Sequence, residues 1–192
     1  MKKLLLAAAL TLSTTAAASE IKYDYLEASS QKVKAGDVTF KGHGYGGSMM
    51  TDSGFLLTAS KRELDTSVRV FGYNANIGIE LLSLGFGGVS DLTESTDLFF
   101  QIKYLEAKTS ASVLGYSISD SESGKGATLG VRSMATDNWE LSAILSYTDI
   151  ISGNTSKVVG AHYHLGEGFS LGVDYERDGD EKGTSIVARL YF

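Results

Sequence analysis

The chain of 192 residues contains no cysteine and no proline. Without cysteine, disulfide scaffolding and thiol chemistry are excluded, and stability must come from elsewhere. Average usage would supply about 5% proline. Proline removes a ladder donor wherever it enters a strand, so its absence suits a chain that is mostly paired strand. The 22 glycines suit tight turns and closely packed strands. Downstream of the amino terminus no run reaches the roughly 18 apolar residues of a membrane helix. There is no basic run either. The formal charge is −6, which excludes the electrostatic footprint of a nucleic-acid binder.

The amino terminus has its own character. Met1, Lys2 and Lys3 form a positive stretch, Leu4 to Leu12 is apolar except for Thr11, and Ala16-Ala17-Ala18 fits a small-residue cleavage site. This pattern predicts a secretory signal peptide over residues 1–19 and a mature domain over 20–192. Loss of Lys2 and Lys3, with no acid removed, takes the charge from −6 to −8. An exported chain without a membrane helix is either a soluble periplasmic protein or a barrel that crosses the outer membrane with strands.

From Phe55 onward the polarity alternates with period two, the strand period. Leu98, Phe100, Ile102 and Tyr104 oppose Phe99, Gln101 and Lys103. Trp139, Leu141, Ala143, Leu145 and Tyr147 oppose Glu140, Ser142 and Ser146. Phe169, Leu171, Val173 and Tyr175 oppose Ser170, Gly172, Asp174 and Glu176. Ten strands are expected, near 20–29, 38–50, 54–63, 68–88, 97–108, 126–135, 139–149, 156–165, 168–177 and 183–192. Eight is the alternative, if residues 38–78 supply only two. Short turns are read at 51–54, 135–138 and 166–168. A polar break is read at 62–67, an irregular stretch at 68–77, and longer external loops at 110–125 and 178–183.

Alternation alone leaves open whether the apolar face turns outward or inward, because a soluble ligand-binding barrel alternates too, with that face inside. Strands of about ten residues match a tilted membrane strand. Aromatic residues mark both ends of the apolar face, with Phe55, Trp139 and Phe169 at one end and Tyr104, Tyr147 and Tyr175 at the other. Such a double girdle belongs to two membrane interfaces. The chain ends in Ile186-x-Ala188-x-Leu190-x-Phe192, which resembles the terminal signature of outer-membrane proteins. With Leu84-Gly85-Phe86-Gly87 and the run Gly126 to Arg132, the mature chain resembles the small outer-membrane β-barrels of the OmpA/OmpX and porin-like kind. The resemblance implies an all-β, antiparallel up-and-down barrel in the outer membrane of a Gram-negative bacterium. Its implied partners are outer-membrane lipid, lipopolysaccharide and the barrel-assembly machinery, which reads the terminal signature. It implies no single activity. A monomer without cofactor is expected.

Lys103, Arg132, Glu140, His162, His164, Asp174, Glu176 and Arg189 fall on the polar face. Pairing Ser133 with Trp139 across the turn at 135–138 sets Arg132 directly opposite Glu140, and interior ion pairing is the expected role. His162 and His164 share a face beside Asp174 and Glu176. That spacing also admits a metal site or an acid–base pair in an outer-membrane lipid- or peptide-modifying enzyme. Metal sites usually need three or four ligands, and the third histidine, His43, lies in a strand of unassigned register. No local motif matches the outer-membrane proteases or lipid-modifying barrels, so neither a metal nor a catalytic site is expected. Asp178-Gly179-Asp180-Glu181 lacks the later ligand of a calcium loop. Lys41 to Gly47 is glycine-rich but has no phosphate-loop lysine after it. The expectation is a non-enzymatic barrel with a structural, surface-interaction or narrow porin-like role.

Overall fold

The structure is a computed structural model that describes residues 21–70, 72–150 and 153–192. The signal peptide expected over 1–19 lies outside the described residues. Ten strands follow one another: β1 (Tyr25–Ala35), β2 (Val38–Met50), β3 (Phe55–Val70), β4 (Tyr73–Thr93), β5 (Thr96–Val113), β6 (Tyr116–Thr136), β7 (Trp139–Thr148), β8 (Asn154–His164), β9 (Phe169–Asp178) and β10 (Glu181–Tyr191). Each pairs antiparallel with its neighbour in sequence, and β10 returns to β1, so the sheet closes on itself. The count is ten rather than eight. Closure leaves every strand paired on both edges, which a strand in lipid requires.

Residues directly opposite in an antiparallel ladder share a face, so the register sorts side chains around the whole barrel. Val131 faces Ala143, which faces Val159, then Tyr175; this set points outward. Arg132 faces Ser142, which faces Gly160, then Asp174; this set points inward. Leu129, Leu141, Leu145, Leu171, Val173, Ile186 and Leu190 are exposed on the outer face. The interior carries buried Gln101, Thr128, Arg132, Glu140, His162 and Ser170. The barrel is therefore apolar outside and polar inside, the reverse of a soluble one.

Several sequence expectations change. Strands β5 and β6 run on through the stretch read as a loop at 110–125 and meet at Leu114 and Gly115, both with positive φ. The region read as a loop at 178–183 is a two-residue turn at 179–180, with Gly179 at φ 56°. The polar break at 62–67 lies inside β3, and most of the irregular stretch 68–77 belongs to the β3–β4 hairpin. These segments extend beyond the apolar belt, where water meets the outer face and polar residues keep the strand pairing without an apolar stripe. The first strand begins at Tyr25 rather than near 20.

Candidate functional site

The inward side chains form tiers, with the richest at the end where β1 begins and β10 finishes. There Arg132 on β6 donates to Glu140 on β7 through two parallel bonds, Nε to Oε1 at 2.9 Å and Nη2 to Oε2 at 2.8 Å. Arg132 is 5% exposed and Glu140 0%. The expected direct opposition is corrected: Arg132 faces Ser142 and Glu140 faces Met134. A register irregularity between Met134 and Thr136 absorbs an extra residue beside the turn. The arginine then reaches its carboxylate diagonally, a distance its long side chain spans readily. Glu140 also accepts from Arg189 Nη1 at 3.3 Å and from His164 Nε2 at 3.3 Å. Arg189 in turn donates to Glu27 at 2.8 Å. Charge thus alternates through Arg132, Glu140, Arg189 and Glu27 across β6, β7, β10 and β1, with no charge of the set left unmatched.

Aromatic rings fill around this chain. The Arg132 guanidinium lies 4.5 Å from the Tyr23 ring centre, and that of Arg189 lies 4.8 Å from Tyr25. His164 stacks on Tyr191 at 5.3 Å, and the Tyr191 and Ser170 hydroxyls are 3.1 Å apart.

The irregular segment from Ile21 to Asp24 completes this tier. Ile21 and Tyr23 are buried and pack with Leu56 and Phe99. The Lys22 carbonyl accepts from Arg132 Nη1 at 3.2 Å, and its ammonium donates to the Glu167 carbonyl at 3.0 Å. Asp24 accepts from the Met50 amide at 2.7 Å. The segment therefore lies across the terminal mouth of the barrel, tied to three separate turns or strands. Sequence reasoning missed it by reading these residues as the start of the first strand. No local signal marked the difference: Ile21, Tyr23 and Tyr25 alternate with Lys22 and Asp24 at the strand period, straight into β1.

Further from this mouth, His162 Nε2 donates to Asp174 Oδ1 at 2.9 Å. Two glycines make room for the pair. A Cβ on Gly172 would fall on the His162 ring, and one on Gly160 would strike Asp174. Higher still, Arg62 on β3 donates to Glu176 on β9 at 3.1 Å. Strands β2, β1 and β10 separate these two in the closed order, so the ion pair crosses the lumen. Lys103 points inward, opposite Gly85 and Gly126. All eight polar-face residues named from the sequence therefore face the interior, but as separate tiers rather than one cluster. Arg62, Glu27 and Asp97 join them and were not foreseen: the faces of β1 and β3 were not assigned from the sequence, and on β5 the assignment began at Leu98, one residue past Asp97.

Among the described residues no three His, Cys, Asp or Glu side chains converge as a metal set. His43 is on the outer face, 3.2 Å from Glu63. Phe55, Tyr104, Trp139, Tyr147 and Tyr175 are exposed on the outer face. Phe169 shares that face opposite Leu190. Ile186, Leu190 and Phe192 are exposed, with Ala188 between them on the same face.

No family model matches the sequence, and no curated protein does. Among solved structures, a KdgM porin in complex with disordered oligogalacturonate superposes with a TM-score of 0.55 at 11% identity, over 88% of this chain and 99% of that one. The chain has the fold of the outer-membrane β-barrels. The translocator domain of the autotransporter NalP from Neisseria meningitidis gives 0.53 at 13% identity, over 94% and 91%. An outer-membrane channel from Pseudomonas putida F1 gives 0.50 at 10% identity, over 90% and 96%. At these identities the likeness is one of fold.

Proposed function

We propose that the chain is a non-enzymatic integral outer-membrane β-barrel with a closed lumen. It holds its position in the membrane and presents its extended hairpins to the cell exterior. The observation that carries this is the filled terminal mouth. Tyr23 and Ile21 are buried inside it, and Arg132, Glu140, Arg189 and Glu27 form one continuous chain of charge there. An open pore would leave these groups to water.

The exterior role rests on the lopsided strand lengths. Strands β4 and β6 have 21 residues, while β7 and β9 have 10. Two hairpins therefore stand well above the rest, and Leu114, Tyr116 and Ile118 are exposed near one tip. The enzymatic reading finds little support, since His162 and Ser170 are fully buried and Glu140 is occupied by two arginines.

The test is a planar-bilayer recording together with membrane fractionation. The unmodified protein should fractionate with outer membrane, show a heat-modifiable gel band, and pass no large steady current. Deleting residues 21–24 together with Arg132→Ala should raise the leak. A large, steady conductance in the unmodified protein would overturn the closed lumen. A narrow conduit would then stand first, a reading favoured by the small inward residues Ser29, Gly44, Ser60, Ser83, Ser142 and Gly160.

A further inference from the structure

The outer wall is not electrically uniform above its apolar belt. On one side, charges of opposite sign meet. Lys61 lies 2.7 Å from Glu63 and 3.3 Å from Glu80, and Glu80 is directly opposite Lys108. From β8 through β9 and β10 to β1 the wall has no such pairing. Lys157 on β8 stands opposite Arg177 on β9, Arg177 opposite Lys182 on β10, and Lys182 opposite Lys34 on β1. One row lower, Lys32 stands opposite Lys41 on β2, and there the arc ends, because Lys41 in turn stands opposite Asp65 on β3.

All six cations are exposed. Among the described residues none makes an ion pair, and Arg177 spends only Nε, on the Gly179 carbonyl. Like charges directly across a ladder repel. Here four of them occupy four consecutive strands of a chain whose net charge is negative. This arrangement is costly unless an anion sits on it.

We propose that this arc binds the phosphorylated head group of an outer-leaflet glycolipid, with its acyl chains lying on the wall below. The proposal rests on the outer-membrane reading given above. The wall beneath argues for a lipid rather than a free anion. Below Arg177 come Tyr175, Val173 and Leu171, and below Lys182, past Thr184, come Ile186, Ala188 and Leu190, all on the outer face. Charge above and apolar surface below match one amphiphile.

The width of the arc argues for more than one phosphate. Three strand spacings of about 4.8 Å set Lys157 and Lys34 roughly 14 Å apart. A single carboxylate or phosphate cannot engage both ends, whereas a sugar head bearing two phosphates can.

The test refolds the protein into phosphatidylcholine vesicles doped with lipid A carrying both phosphates, or with its dephosphorylated form, and measures the lipid A retained through purification. One variant combines Lys34→Gln, Lys157→Gln, Arg177→Gln and Lys182→Gln. A control combines Lys61→Gln and Lys108→Gln on the paired side. The unmodified protein and the control should retain bisphosphorylated lipid A. The four-residue variant should retain on the order of tenfold less or lower still, as expected when several cations leave an anionic surface. Dephosphorylated lipid A should be retained poorly by all three.

A folded, heat-modifiable arc variant that retains lipid A like the unmodified protein overturns the proposal alone. Equal retention of the dephosphorylated form does the same. Failure of the unmodified protein to give a folded band in vesicles overturns the membrane-barrel reading and the proposal with it.

Discussion

Removing Glu140 should cost more than removing Arg132, although the two form one ion pair. Breaking a buried pair by deleting one partner typically costs about 3–5 kcal/mol, mostly the penalty of the charge left behind. After Arg132→Ala, Glu140 still accepts from Arg189 and His164. That carboxylate is partly compensated, which places the loss near 3 kcal/mol on the same scale. After Glu140→Ala, two guanidiniums remain in the tier and only Glu27 stays to answer Arg189. Arg132 loses its two-bond partner and keeps the Lys22 carbonyl, the faces of Tyr23 and Tyr25 and, across the β5–β6 ladder, Asp97. That places the loss at about 4–5 kcal/mol, toward the upper end of the same scale. The double variant should lose less than the sum of the singles by about 2 kcal/mol, the coupling expected of groups in contact. Trp139 is the single tryptophan and sits on the outer face beside Glu140, so its fluorescence reports unfolding in a urea titration of vesicle-embedded protein. The reasoning fails if the singles rank the other way, or if the losses add within about 0.5 kcal/mol.

Leu129→Arg should destabilise the folded barrel by about 2–4 kcal/mol, and Ser123→Arg, on the same face of β6 above the belt, by about 0–1; equal costs in a lipid unfolding titration would place the belt elsewhere. Tyr191→Ala removes a buried ring that stacks on His164 and bonds Ser170, so it should lower unfolding stability in vitro by about 3 kcal/mol. Phe192→Ala should leave that stability nearly unchanged, since Phe192 is 71% exposed, yet reduce assembled barrel in cells by removing the expected assembly signal; the reverse pattern would reassign the two residues. Gly172→Ala should cost about 1–3 kcal/mol, because a methyl group would displace the His162 ring from Asp174; an unchanged urea midpoint would show that the ring shifts freely.

The fold was legible wherever one face met lipid and the other met the lumen. Phe169, Leu171, Val173 and Tyr175 contrast with Ser170, Gly172 and Asp174, and that contrast is the strand signal. Between Tyr116 and Gly124 the contrast disappears. Outward Ser119, Ser121 and Ser123 are as polar as inward Asp120 and Glu122, so a paired strand reads as a loop. The lumen residues were legible as a face but not as tiers, because grouping them depends on register. One extra residue between Met134 and Thr136 moved Arg132 away from direct opposition to Glu140. The cross-lumen pair of Arg62 and Glu176 lay beyond sequence reasoning, since it joins strands that share no ladder.

The closure of β10 on β1 has a consequence for how the molecule comes to exist. Every other ladder joins strands adjacent in sequence, whereas this one joins Glu27 to Arg189, 162 positions apart. Bringing such distant segments together carries the largest loop-closure entropy in the chain, so the hairpins can form early while the seam zips late. Until it does, β1 and β10 are two open edges that invite pairing with other chains. A polypeptide stalled or clipped before its last strand would therefore be exposed to intermolecular addition along β1 and β9. Shelter for those edges until the seam closes would then weigh more on the yield of finished barrel than the strength of any contact inside it.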